Sequence, residues 1–238
     1  MSYSDLQQPI IMFDMDGTLL DLAFDDEIWN HRLPERHAQV HQCSLEQSQQ
    51  TLFQYYQQYK HTLSWYSSAH WTAKVGVDVL QLQYEHREKI CARAGCHQLL
   101  EQLKAQGYRC WLLTNADRVG LQLKLENIEL SPYFELMISS EELGHAKEEV
   151  AFWQKLQQQY PFNPAQAVFI DDTVNVLKGA EDFGIAQLLS ILQPSSGKAA
   201  RIATELPYPA LDHLTELLDY LQLNRLETNL QVTDAKTA

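Results

Sequence analysis

Short apolar runs and segments of helical spacing alternate along the second half of the chain. Leu99, Leu100 and Leu103 predict a helix closed by Gly107, and residues 108–113 an apolar strand that ends in Thr114-Asn115-Ala116-Asp117. Val119, Leu121, Leu123 and Leu125 fall in the next helix, ahead of a strand at 134–138. Val150, Trp153, Leu156 and Tyr160 give another, ahead of a strand at 168–170 that runs into Asp171-Asp172. A helix with Leu177 and Ala180 stops near Gly184, before a last core strand around 185–191, and residues 210–223 have the spacing of one closing helix. Near the start, Ile10-Ile11-Met12-Phe13 is a further apolar strand. Buried strands separated by helices predict an α/β fold, a Rossmann-like parallel sheet covered on both faces.

One stretch breaks this rhythm. From Asp21 to about Arg93 the chain is rich in Gln, His, Tyr and Trp, with Gly76 as its one glycine and Pro34 as its one proline. Leu52, Tyr55, Tyr56 and Tyr59 recur at helical spacing, and Leu63, Trp65, Tyr66 and Trp71 follow a break. The expected organisation is therefore a discontinuous core, 1–23 and 94–238, with a helical insertion at 24–93 that sits over the end of the first strand. Residues 1–8 read as a loose lead-in, and the polar end 227–238 as a disordered tail.

Composition narrows the classes of function. A chain of 238 residues buries a real core without disulfides, and Cys43, Cys91, Cys96 and Cys110 lack the close pairing of a zinc site. With no signal peptide read ahead of Pro9, reduced thiols and a cytoplasmic location are expected. The net charge of -13 counts against nucleic acid and anionic lipid as partners, and no apolar run reaches the length of a membrane span. A phosphate-bearing ligand would need local positive charge or a cation.

The chemistry gathers at strand ends, where open parallel sheets bind their ligands. On a strand Asp14 and Asp16 lie on one side with Met15 turned away, and Gly17 permits the turn that follows. Two carboxylates at the end of an apolar strand repel unless a cation neutralises them, so a mere polar turn is a poor account of them. Thr114 and Asn115 also suit a helix cap, and most lysines are solvated surface charge, so Lys147 carries little by itself.

Taken in order, Asp14-Met15-Asp16-Gly17-Thr18, Thr114-Asn115, Lys147 and Asp171-Asp172 resemble the four motifs of the haloacid-dehalogenase-like (HAD) phosphohydrolase superfamily, and the match spans most of the chain. The resemblance implies that Asp14 is a nucleophile forming an aspartyl phosphate and that Asp16 is the acid, then the base. It further implies that Thr114 donates to the transferring phosphoryl group, that Asn115 supports it, and that Lys147 neutralises Asp14 and a phosphate oxygen. Asp171 and Asp172, with Asp14 and the backbone carbonyl of Asp16, would hold Mg²⁺, with more weight on Asp171. Dehalogenases of the superfamily lack an acid at position 16, so Asp16 argues against dehalogenation. Two departures stand out. Glu148 replaces a proline frequent after the lysine, which is expected to alter the turn more than the charge, and Asn175 and Val176 stand where a further acid is common.

The insertion then occupies the place of the superfamily's helical cap, where substrate is selected. Asp21-Leu22-Ala23-Phe24-Asp25 and His61-Thr62-Leu63-Ser64-Trp65-Tyr66 resemble the bacterial purine nucleotidases of this superfamily that hydrolyse GMP and IMP. Trp65 and Tyr66 are the candidate base contacts, although such aromatics more often pack helices. The expected activity is Mg²⁺-dependent hydrolysis of a small phosphate ester, a purine 5'-nucleotide first. Another phosphatase, for sugar phosphates, or a phosphomutase stands behind it. A phosphate-binding module without turnover is disfavoured by the complete set of motif residues.

Overall fold

A computed structural model of the chain describes residues 9–223. The lead-in expected at 1–8 and the tail expected at 227–238 lie outside the described residues. Six strands form one parallel sheet: β1 (Ile10–Phe13), β2 (Arg109–Thr114), β3 (Leu136–Ser139), β4 (Val168–Ile170), β5 (Gln187–Ile191) and β6 (Ala210–Leu211), in the order β3-β2-β1-β4-β5-β6. The chain moves from β1 outward to β2 and β3, then returns across β1 to β4. That reversal makes the carboxyl end of β1 the switch point of the sheet, where a crevice opens.

Between β1 and β2 come α1 (Ala23–Glu27), a π-helical stretch Ile28–Arg32, α2 (Leu33–His41), α3 (Leu45–Tyr59), α4 (Ser68–Val75) and α5 (Val79–Glu85), followed by α6 (Cys96–Ala105). Thereafter α7 (Arg118–Asn127) follows β2, α8 (Ser140–Leu143) and α9 (Val150–Gln159) follow β3, and α10 (Val174–Phe183) follows β4. The helix starts are written locally. Ser44 and Gln47 form a capping box on α3, and Asp117 Oδ1 accepts from Gly120 N–H at 2.9 Å to cap α7.

The strand alternation sorts side chains to two faces. Ile11, Phe13, Leu112 and Ile170 join Leu99, Leu100 and Leu103 of α6 on one face, while Met12, Trp111, Leu113 and Phe169 join Phe152, Trp153 and Leu177 on the other. Fully burying such a side chain contributes roughly 1.5–3 kcal/mol, so β1, buried along its whole length, is firmly held beneath the acids that follow it. The first cluster continues without interruption into the insertion through Phe24, Ile28, Leu52 and Trp71. The insertion leaves and re-enters the core through adjacent backbone: Asp21 N–H donates to Cys91 O at 3.0 Å and Arg93 N–H to Leu19 O at 2.9 Å.

Three expectations need correction. Residues 210–223 are not one helix: Ala210 and Leu211 pair with Ser190 and Ile191 as a sixth strand, and helical backbone begins only at 216. The reason is the free edge of β5, whose Ser190 and Leu192 N–H groups find Pro209 O at 2.7 Å and Leu211 O at 3.0 Å. The strand expected at 134–138 runs from Leu136 to Ser139, because a 3₁₀ turn at Ser131–Tyr133 directs Phe134 edge-on against Phe13. The strand expected from 185 begins at Gln187, since Ile185 N–H still closes α10 on Ala180 O.

Candidate active site

The strand ends bring the sequence candidates to one place. Asp14 N–H donates to Ile170 O at 2.9 Å and Asp171 N–H to Leu189 O at 3.1 Å, so each acid extends its strand's pairing by one residue and the two stand side by side. Asp14, Asp16, Thr114, Asn115, Lys147, Asp171, Asp172, Trp65 and Tyr66 all line a single cavity of about 350 Å³.

Lys147 organises the floor. Its Nζ donates to Asp14 Oδ1 at 2.5 Å, to Asp171 Oδ2 at 2.7 Å and to Leu113 O at 3.0 Å, which uses all three ammonium protons. Only 1% of its side chain is exposed, so this is not a solvated lysine. Burial pushes Asp14 up to about 7 against the pull of Lys147, and Asp171 up to about 6 against the same pull. Burial and the neighbouring Asp14 likewise push Asp172 up to about 7, with Arg201 opposing.

Asp14, Asp171 and Asp172 each place a carboxylate oxygen within 4.8 Å of the others. Crowded, buried and oxygen-only, this set fits a hard divalent cation such as Mg²⁺ and offers no nitrogen or sulfur to a softer one. Asp172 is held by Thr173 Oγ1 at 3.2 Å and by Arg201, whose guanidinium also donates to the Asp172 carbonyl. Gly17, at a φ of 84°, lies so close to this carboxylate that a Cβ there would stand 2.8 Å from Asp172 Cγ.

Thr114 is buried, and its hydroxyl accepts from Ala116 N–H at 3.0 Å, so the hydroxyl proton is the part left to donate to a ligand oxygen. The Asn115 side chain is engaged within the protein, which leaves its backbone for the expected phosphate support. Its Oδ1 accepts from Lys147 N–H at 2.9 Å and its Nδ2 donates to Glu148 Oε2 at 2.9 Å, so the amide fixes the loop that carries the lysine.

Glu148, expected to alter the turn more than the charge, also places its charge at the site. Its other oxygen accepts from the Tyr66 hydroxyl at 2.5 Å and stands 3.5 Å from His61 Nδ1, so one carboxylate ties the insertion to the Lys147 loop. Burial and Glu148 together drive the Tyr66 hydroxyl upward, which keeps it a donor. A second tie runs from Ser68 N–H of α4 to Asp117 Oδ2 at 2.6 Å. Trp65 stands edge-on to Tyr56 at 5.4 Å and to Trp71 at 5.7 Å between ring centroids, so its ring both packs the insertion and reaches the cavity wall.

Sequence reasoning missed Lys124 and Asp25. Lys124 Nζ lies 2.6 Å from Asp16 and 3.1 Å from Asp25 at the edge of the same cavity. A signal did exist: Lys124 follows Leu121 by three residues and so shares its buried helix face.

A family model described as haloacid dehalogenase-like hydrolase matches residues 9–184. The GMP/IMP nucleotidase YrfG of Escherichia coli (strain K12) is 33% identical over 191 residues, spanning 80% of this chain and 86% of that protein. Among solved structures, the HAD phosphatase from Thermococcus onnurineus superposes with a TM-score of 0.74 at 18% identity, covering 90% of this chain and 98% of that one. The L-2-haloacid dehalogenase from Xanthobacter autotrophicus gives 0.59 at 14% identity, covering 91% and 99%. The last two are likenesses of fold alone.

Proposed function

The chain belongs to the haloacid dehalogenase-like hydrolase family and is a phosphomonoester hydrolase, and on that premise we propose that it is a purine 5'-nucleotidase, which releases phosphate from GMP and IMP with Mg²⁺. The observation that carries the phosphatase chemistry is the lysine-bridged pair of Asp14 and Asp171 beside Asp16, under a cavity walled by aromatic rings. The substrate class is supported by the nucleotidase relative, whose likeness to this chain covers core and insertion together.

In this reading Asp14 attacks phosphorus while Asp16 gives its proton to the departing 5' oxygen. The products of that half are the nucleoside and a phosphoryl group on Asp14. Asp16, now a carboxylate, takes a proton from water as the water attacks phosphorus, and Asp14 is released with inorganic phosphate. Lys147 holds Asp14 in line and meets charge on the phosphoryl oxygens, and Thr114 donates its hydroxyl proton to one of them. Asp14, Asp171, Asp172 and the Asp16 carbonyl would hold Mg²⁺, which would supply further positive charge to those oxygens.

We take residues 24–93 as the lid that selects substrate, with Trp65 and Tyr66, both at the cavity wall, as the rings that meet a base. The four cysteines stand free, and among the described residues no helix is long and apolar enough to cross a membrane. We assign the reaction to the cytoplasm. The test is phosphate release with Mg²⁺ across GMP, IMP, AMP, pyrimidine nucleotides, hexose phosphates and p-nitrophenyl phosphate. Specificity constants highest for GMP and IMP support the reading, and a preference for hexose phosphates refutes it.

A further inference from the structure

Two lysines are buried at this site, and the motif chemistry accounts for one. The other, Lys124, projects from α7 beneath Asp16 and Asp25, 2.6 Å from the first and 3.1 Å from the second. Its side chain is 4% exposed, against 19% for Asp16 and 20% for Asp25. The ammonium is thus more enclosed than either carboxylate, although it too borders the cavity. Asp16 Oδ1 is buried beside the ammonium as an ion pair without a hydrogen bond, whereas both Asp25 oxygens accept from Nζ at 3.1 Å, and Asp16 Oδ2 is left as the oxygen open to the cavity. Asp25 belongs to α1, so the ammonium is clamped between the strand-end loop of the core and the first helix of the insertion.

A buried ammonium carries an effective desolvation penalty of several kcal/mol, and apolar residues of similar volume commonly replace such ion groups without loss of stability. Packing alone does not call for a lysine on this helix face. Fixing a carboxylate does, because a proton donor must be held within a few tenths of an ångström of its productive place.

We propose that Lys124 is a positioning residue for Asp16: it pins Oδ1, so that Oδ2 is presented to the leaving oxygen in the first half-reaction and to water in the second. This rests on the reading of Asp16 as acid and base. In the first half-reaction the bond from phosphorus to the ester oxygen breaks, the bond from Asp14 to phosphorus forms, and the Asp16 proton passes to the ester oxygen. Lys124 neither gains nor loses a proton. Its effect is felt where the leaving group needs that proton, and little where it does not.

The full chain with Mg²⁺ is therefore compared as wild type, Lys124→Gln and Asp16→Asn on p-nitrophenyl, phenyl and benzyl phosphate, three esters of falling leaving-group ability. The readout is kcat/KM, which reports the steps up to cleavage of the ester bond. Lys124→Gln is expected to lose about tenfold more on benzyl than on p-nitrophenyl phosphate, a part of the 10²–10⁴-fold that general acid catalysis supplies. Asp16→Asn should show a slope of the same sign but steeper, and inhibition by inorganic phosphate should be unchanged in Lys124→Gln.

Equal losses of Lys124→Gln on all three esters, or weakened phosphate inhibition, would assign Lys124 to packing or to substrate charge and overturn the inference. If Asp16→Asn shows the slope and Lys124→Gln does not, the inference alone falls. If Asp16→Asn shows none, the acid role of Asp16 falls and takes the inference with it. Should Lys124→Gln fail to fold, Lys124→Met with Asp25→Leu removes one of the two carboxylates left without the ammonium, and the same slope is required of that pair.

Discussion

Gly179 stands in the middle of α10, far in sequence from every acid of the site, yet it gauges how tightly the Lys147 loop is held. A Cβ added there would stand 2.5 Å from Glu148 O, 2.7 Å from Glu148 C and 2.8 Å from Lys147 O. To reach an ordinary carbon–oxygen contact of about 3.3 Å, helix and loop must separate by about 0.8 Å. The obstacle is backbone on both sides, so no side chain can swing away. The loop is also pinned from three directions: Lys147 N–H to Asn115, Lys147 O from Trp153 Nε1 at 2.8 Å, and Glu148 to Tyr66. Overpacking of this kind costs about 1–3 kcal/mol, and alanine in a helix recovers up to about 1 kcal/mol over glycine. Gly179→Ala should therefore destabilise by up to about 2 kcal/mol, a fall in Tm of up to roughly 8 °C for a chain of this size. Because the displaced loop carries the ammonium that sits 2.5 Å from Asp14, kcat/KM should fall about tenfold to a hundredfold. A melting curve beside phosphate-release kinetics reads both. Helix propensity alone predicts the opposite sign, so a raised Tm with undiminished kcat/KM would refute the close-packing argument.

Asp14→Asn keeps shape and removes the attacking charge, so turnover should vanish while circular dichroism stays native; retained activity in a folded variant sinks the covalent route. Chelator should stop phosphate release and Mg²⁺ restore it, with Asp171→Asn needing more Mg²⁺ than Asp172→Asn; an unchanged metal titration for Asp171→Asn contradicts the donor set. Trp65→Ala should lower kcat/KM for GMP about tenfold or more relative to p-nitrophenyl phosphate if the ring stacks on the base, whereas equal losses with a lowered Tm return it to the aromatic cluster. Burial, with His41 close by, holds buried His37 below the ordinary histidine value. The unfolded chain thus takes up a proton near pH 6.5 that the folded one refuses, so the contribution of His37 to stability is full above about pH 6.5 and is lost as pH falls below it. The Tm advantage of wild type over His37→Gln should narrow from about pH 7 to pH 5, and a constant gap counts against this linkage.

The sequence by itself determined the plan of the core and the identity of the acids. Apolar runs of strand length, separated by helical spacing, allow few arrangements other than a covered parallel sheet, and a strand followed by Asp14-Met15-Asp16-Gly17 sends both carboxylates to the same side of its end. These signals are local, carried by residues close together in the chain. The sixth strand was not legible, because residues 210–223 carry helical spacing and only the unpaired edge of β5 draws Ala210 and Leu211 into the sheet. The partners of Lys124 and Glu148 were not legible either, although helix spacing puts Lys124 on a buried face and Glu148 stands out as a departure. Each is a charged residue that composition assigns to solvent, and each becomes part of the site only when folding buries it against partners 99 and 82 residues away, Asp25 and Tyr66. Burial decides what a charge does, since the field of an ammonium or carboxylate is screened in water and strong in a closed cavity, and burial is a property of the assembled fold rather than of any stretch of sequence.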